Sequence, residues 1–261
     1  MKMDSVKRIA GVSFYTFLEM VRSKVLYILL FFALFIFALG IGITQMTIGK
    51  VQDIISDIGL GTIEIFSTVL SIFLGISLVH KELSLKTLHP LLARPLSRPE
   101  YILGKFFGMV LLIVVEIIVM CIIFAILLAV FGGFSRFFGY LPAVYTIFLQ
   151  TCTVISVAVL CSTLTEPAVA AMLTISFYLI GATSYNLVYA ITKRSSELVV
   201  NIVTTLRYVL PDFSHFNIKD NLVYGRGLEG ISLGFASFYA IFIIVIVLSL
   251  AVMFFNNKEI S

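Results

Sequence analysis

The chain has 261 residues, 60% of them hydrophobic and 12% charged, with a formal net charge of +4 and a mean hydropathy of +1.11. Soluble domains carry about 45–50% apolar and about 25% charged residues, so this chain lacks the polar side chains to cover a water-facing surface. An ordinary soluble enzyme, a disordered protein and a nucleic-acid binder acting through a basic surface are all excluded, which leaves an integral membrane protein.

In chain order, residues 4–22 come first and show helical periodicity. Val6, Ala10, Phe14, Phe17 and Val21 fall on one face, and Lys7, Arg8, Tyr15, Glu19 and Arg22 on the opposite one. Such a helix before a span is expected to lie in the membrane interface with its basic face toward lipid head groups. A spanning helix needs about 20 mostly apolar residues, and six stretches qualify. Those at 25–44, 141–165, 167–192 and 230–255 carry no charge, whereas 58–79 holds Glu64 near its start and 106–131 holds Glu116 at its middle. The apolar runs are continuous, unlike the alternating strands of a membrane barrel. The expected fold is therefore all-α and polytopic, a single domain of six transmembrane helices.

Orientation follows the basic residues in the connections. Lys2, Lys7, Arg8, Arg22, Lys24, Lys81, Lys86, Arg94, Arg98, Lys105 and Lys258 share one side, eleven in all, against Lys50, Arg136, Lys193, Arg194, Arg207, Lys219 and Arg226 on the other. Both termini and the 80–105 connection are thus expected in the cytoplasm.

Residues 80–105, HKELSLKTLHPLLARPLSRPEYILGK, are too long and too patterned for a plain turn. Leu83, Leu85, Leu88, Leu91 and Leu92 give a helical stretch an apolar side, and Arg94-Pro95 stops it, since the residue before proline avoids helical angles. Ser97-Arg98-Pro99-Glu100 then has the pattern of a capping box, which restarts a helix leading into the third span.

This arrangement resembles the permeases of the ABC-2 family of ABC transporters. An acidic residue follows the second span, then an apolar stretch, then ARPLSRPEYILGK, and the likeness extends over essentially the whole chain. Within the family it is most similar to the short permeases encoded beside a separate ATPase, such as the nitrous-oxide-reductase maturation permease. The resemblance implies a coupling helix that docks into a groove of the ATPase. By position that role falls to Glu82, Leu85, Thr87, Leu88, Leu91 and Leu92, with Arg94, Pro95, Arg98 and Lys105 completing the signature. Lys86-Thr87 stands where members often carry Gly-Thr, and His89-Pro90 is a further departure. The implied partners are two copies of an ABC ATPase that bind ATP and Mg, a second copy of this chain or a related permease, and membrane lipids, in the inner membrane of a prokaryote. No nucleic acid and no cofactor of this chain's own are implied.

The extracytoplasmic segment 193–229 is not simple loop. Ser195 to Leu210 is helix-like, Pro211 ends it, and PDFSHFNIKDNLVYG follows. In the family this region forms short helices that dip into the outer leaflet and cap the pathway.

Sites for chemistry are sparse. No GxxxxGK[ST] phosphate loop occurs, so the chain is not expected to be an enzyme that holds nucleotide in that way. Gly230-Ile231-Ser232-Leu233-Gly234 matches GxSxG but opens a membrane helix instead of following a strand. His80 and His89 sit on one side and His215 on the other, so they form no common metal site. His215 with Asp212 and Asp220 has either a turn-stabilising or a metal-binding reading. Cys121, Cys152 and Cys161 show no CxxC spacing and are taken as apolar packing residues. Glu116 is a costly carboxyl within a span, either a polar contact on a pathway or a neutral, hydrogen-bonded packing group. Gln150, Thr153 and Ser156 recur every three residues and admit the same two readings. Gly104-xxx-Gly108 and Ser71-xxx-Gly75 are patterns suited to close helix packing.

Two function classes remain after a membrane-embedded enzyme is set aside for want of clustered acids and histidines. One is a permease subunit, of exporter type. The alternative is a membrane scaffold or mechanotransmitting subunit serving periplasmic partners.

Overall fold

The computed structural model describes residues 2–22, 27, 30–31, 34–38, 40, 42, 51–84, 97–192, 213–223 and 233–257. Among the described residues every regular element is helical. They are α1 (Lys2–Val21), α2 (Val51–Ser84), α3 (Arg98–Val130), a 3₁₀ turn at Phe134–Arg136, α4 (Phe137–Leu164), α5 (Pro167–Thr192), a second 3₁₀ turn at Phe213–Phe216, α6 (Lys219–Val223) and α7 (Leu233–Asn257). Helices are what the composition requires, because lipid offers no partner to an unsatisfied backbone group.

Four helices are long and apolar enough to cross a membrane: Val51–Ile76, Arg98–Val130, the Phe134–Leu164 stretch and Leu233–Asn256. A further helix, α5, has 26 residues and holds a shorter apolar stretch, Pro167–Thr183. Half of the positions of the span expected at 25–44 fall outside the described residues. Two helices are longer than hydropathy suggests. The expected 58–79 lies inside α2, which runs on to Ser84, and the expected 106–131 begins eight residues earlier, at Arg98.

Local chemistry sets several of these ends. The Ser97 amide donates to the Glu100 carboxylate at 3.0 Å, the reverse half of a capping box, and Pro99 sits in the first turn where its missing N–H costs nothing. At the far end of α3, Gly132 takes a φ of +73°, a left-handed turn that glycine adopts freely, and Gly133 donates to the Leu128 carbonyl at 2.7 Å. An extended Thr165 ends α4, and Pro167 opens α5 two residues later.

Side-chain ties fix which helix ends lie together. Arg136 bonds Asp53 at 2.7 Å and Tyr145 bonds Ser237 at 2.8 Å, which brings the starts of α2, α4 and α7 to one end. The start of α3 meets the finish of α7 at the opposite end, where Arg98 donates to the carbonyls of Phe255 and Asn256 at 3.1 and 2.7 Å. Thus α2, α4 and α7 run one way and α3 and α5 the other. The centre belongs to α4, 78% of whose spanning window is buried, against 28% for α7 and 33% for α3. Around it Leu60, Ile63, Met109, Leu112, Ile113, Met120, Phe124 and Ile155 form the main core. Small residues permit close approach: a methyl group added at Gly75 would sit 2.4 Å from the Ala158 Cβ.

Candidate functional site

Of the coupling residues expected from the resemblance, Glu82 lies in the last turn of α2, while Leu85, Thr87, Leu88, Leu91, Leu92, Arg94 and Pro95 lie outside the described residues. The described chain on either side brings their two flanks, Ser84 and Ser97, to the same end of the bundle. Arg98 is turned inward onto the α7 carbonyls.

At that end α1 packs along the first turns of α3. Methyl groups added at Gly104 and Gly108 would meet Val12 and Thr16 at 2.6 Å, and the Ser13 hydroxyl lies 3.0 Å from the Gly104 carbonyl. The weakly specific GxxxG pattern is therefore the seat of α1. Two ion pairs flank it, Arg8–Glu100 and Lys105–Glu19, each at 3.7 Å. Lys105 is 2% exposed and also lies 5.8 Å from the Tyr101 ring, so an ammonium that burial would penalise is compensated from two sides. Periodicity alone directs Arg8 and Glu19 to head groups; instead they fasten α1 to α3. The apolar strip does keep an outward part, with Val6 and Phe14 exposed.

A second polar layer crosses the bundle interior. Glu116 of α3 is 4% exposed and accepts a 2.7 Å hydrogen bond from the Ser67 hydroxyl of α2. Three residues before Ser67, Glu64 holds Lys219 of α6 at 2.6 Å and accepts from the Gln150 amide of α4 at 3.3 Å. Thr153 and Ser156 turn their hydroxyls back onto their own helix, to the carbonyls of Leu149 and Thr153 at 2.9 and 2.7 Å. The polar stripe of α4 thus divides: Gln150 reaches across to α2, and its two companions spend their hydrogen bonds locally. Thr68, one turn beyond Glu64, is 3% exposed.

Glu64 and Lys219 are the residues that sequence reasoning passed over. Each could be noticed as a charge in or beside an apolar segment, but 155 positions separate them and no local pattern pairs them. His215 packs edge-on against the rings of Phe235 and Tyr239 at 5.4 Å, which favours its turn-stabilising reading. Among the described residues no group of three His, Cys, Asp or Glu side chains is placed to hold a metal.

The family model for the ABC-2 family transporter protein matches residues 16–260, nearly the whole chain and all of the helical bundle from α2 to α7. The chain belongs to this family. No curated protein matches it. In this ABC-2 chain the described helices therefore make up one multi-pass membrane component of a transporter, and two sets of its described charged groups tie helices together. One set binds α1 to α3 at the end where Ser84 and Ser97 approach, and the other joins α2, α4 and α6 within the opposite half.

Proposed function

We propose that this ABC-2 chain is the permease subunit of an ABC transporter of exporter type. Two copies, or one copy with a related permease, form the pathway, and two separate ATPase subunits supply the ATP-binding site and its Mg. The observation that carries this reading is a family match over residues 16–260 in a chain without a phosphate-loop motif, so the nucleotide chemistry belongs to a partner. The subtype proposed is the short permease with a separate ATPase, of which the nitrous-oxide-reductase maturation permease is an example.

Six spans are part of the proposal. In this reading the expected 25–44 span carries the chain from the end where α1 is seated to the end where α2 begins. Phe37, buried in the main core, supports that passage. The basic residues orient the Ser84–Ser97 end toward the cytoplasm of a prokaryotic cell, with α1 at that membrane face and Val6 and Phe14 toward lipid. There the segment from Glu82 through Leu92 is the coupling helix. An apolar bundle with few free polar groups suits an amphipathic or hydrophobic cargo. The inward-turned hydroxyls of Thr153 and Ser156 favour the second reading, a mechanical or scaffold role.

Copurification with the cognate ATPase tests the assignment. Leu88→Asp should leave the bundle folded while abolishing ATPase recovery and stimulation. Full stimulation by the Leu88→Asp chain would remove the coupling role from this segment.

A further inference from the structure

We propose that Glu116 is a proton-binding site inside the bundle, whose carboxyl stays un-ionised at neutral pH while α2 and α3 are in contact and gives up its proton when they part. The acid is 4% exposed near the middle of α3, and Ser67 of α2, itself fully buried, donates to it at 2.7 Å. A hydroxyl is a weak partner for a full charge. The other described acids that tie elements together meet a cation: Glu19 meets Lys105, Asp53 meets Arg136, Glu64 meets Lys219 and Glu100 meets Arg8. Around Glu116 the helices supply no such group. The stretches 106–130 of α3, 137–164 of α4 and 233–257 of α7 hold no Lys, Arg or His, and neither does the expected 25–44 span. Their cysteines and tyrosines, Cys121 beside Glu116 among them, bring no positive charge. The nearest charges along the chain are directed elsewhere. On α2, Glu64 holds the Lys219 ammonium; on α3, Lys105 is about 16 Å back along the helix axis and lies on Glu19. The helix α1 crosses only the first turns of α3, where its Arg8 meets Glu100.

Neutralisation follows from these surroundings. A carboxylate in an apolar interior without a cation loses far more solvation than one hydrogen bond returns, so the group takes up a proton instead. The seam between α2 and α3 keeps it dry. Ser67 meets Glu116 and Gly59 meets Phe124 in one antiparallel register, and a methyl group added at Gly59 would lie 2.4 Å from the Phe124 ring. The same register sets Leu70 against Ile113 and Leu74 against Met109, all four buried at 4% or less. The carboxyl thus has close apolar packing to either side of it along the seam. Water admitted there lets the acid ionise, so opening of the contact releases a proton and closing takes one up. The inference needs neither an ATPase nor a cargo, and its failure and the failure of the subunit assignment are separable.

Infrared spectra of the full chain, purified in detergent at pH 7, read the site directly, because the carbonyl stretch of an un-ionised carboxylic acid lies apart from the amide and carboxylate bands. The parent should show that band, and Glu116→Gln should lack it. Ser67→Ala, which removes one hydrogen bond, should move it to higher frequency. A glutamate with a purely structural role, ionised in place, gives neither result. Gly59→Ala wedges the seam at Phe124 and should lose much of the band, since a carboxyl returned to water, with its ordinary pKa of about 4.3, is ionised more than a hundredfold over at pH 7. No band in the parent, or a band that Glu116→Gln retains, overturns the site. An undiminished band in Gly59→Ala overturns its link to the helix contact. Where Glu116→Gln does not accumulate, Ser67→Ala decides: a shifted band supports the site and an unmoved one overturns it. Where Gly59→Ala does not accumulate, the parent denatured at pH 7 takes its place, and a band that survives denaturation overturns the link.

Discussion

Replacing Gly108 with alanine should lift α1 off the bundle. The added Cβ would lie 2.6 Å from the Cβ of Thr16 and 2.7 Å from the Ser13 carbonyl oxygen, where ordinary carbon contacts need about 3.5–4.0 Å. A flexible side chain could turn aside, but a backbone oxygen cannot, so the two helices must separate by about 1 Å. Overpacking of this kind costs about 1–3 kcal/mol. The same separation stretches the 3.0 Å bond from Ser13 to Gly104 beyond useful length and forfeits about 0.5–1.5 kcal/mol more. A loss near 3 kcal/mol is roughly a hundredfold shift in the docking equilibrium. Gly11→Ala is the control: nothing lies within 4 Å of that position, and alanine there should strengthen the helix by up to about 1 kcal/mol. Limited trypsin digestion at Lys7 and Arg8 follows the undocked population. Cleavage should accelerate on the order of a hundredfold in Gly108→Ala and stay the same or slow in Gly11→Ala. Equal rates in the two variants would refute the close crossing of α1 on α3.

Glu116→Gln should accumulate normally, because an amide oxygen can still accept from Ser67, whereas Glu116→Ala leaves that hydroxyl buried and unbonded at a cost of about 1–3 kcal/mol. A glutamine variant less stable than the alanine variant in thermal unfolding would contradict this, and a stable glutamine variant without transport would favour the pathway reading. A double-mutant cycle on Asp53 and Arg136 should return less than about 1 kcal/mol, since Arg136 keeps 50% of its side-chain surface; a coupling above 2 kcal/mol would show that their surroundings are far drier. Arg98→Ala should loosen the end of α7 by removing a charged donor from two carbonyls, about 1.5–3 kcal/mol per bond at most, with Arg98→Lys restoring part of it. Unchanged proteolysis near Asn257 in the alanine variant would refute that anchoring role.

Most of the helical frame was legible because lipid leaves the chain a short menu, and apolar length alone marks a span. The boundaries were less legible, for an identifiable reason. Hydropathy fades at His80 and Lys81, but the helical hydrogen bonds of α2 do not, so the helix runs past the apolar stretch to Ser84. At Ser97 the reverse held: a local pattern of four residues placed the start of α3 where hydropathy could not. Pairings between distant segments were illegible. The angular arithmetic sorted the residues of α1 into faces, yet it gave no means of knowing that Arg8 and Glu19 have charged partners on α3. The site residues divided in the same way. Glu116 and Gln150 were visible as polar groups in apolar runs, but Ser67, Glu64 and Lys219 acquire meaning only from the fold.

The distribution of engaged charges bears on where a partner can be read. At the end where Ser84 and Ser97 approach, Arg8, Glu19, Glu100 and Lys105 are taken up in joining α1 to α3, and Arg98 in holding the finish of α7. A side chain that already holds its own bundle together cannot be given to a partner without loosening that bundle. Two members of the resemblance's signature, Arg98 and Lys105, are therefore accounted for within the chain, and recognition of the proposed ATPase is left to the residues between Glu82 and Pro95. The distinction is measurable. Arg94→Ala should reduce ATPase recovery with unfolding unchanged, while Arg98→Ala should reduce stability first and recovery only in proportion to it. If Arg98→Ala abolished recovery in a chain of parental stability, its bonds to Phe255 and Asn256 would be incidental, and the signature would belong to the partner after all.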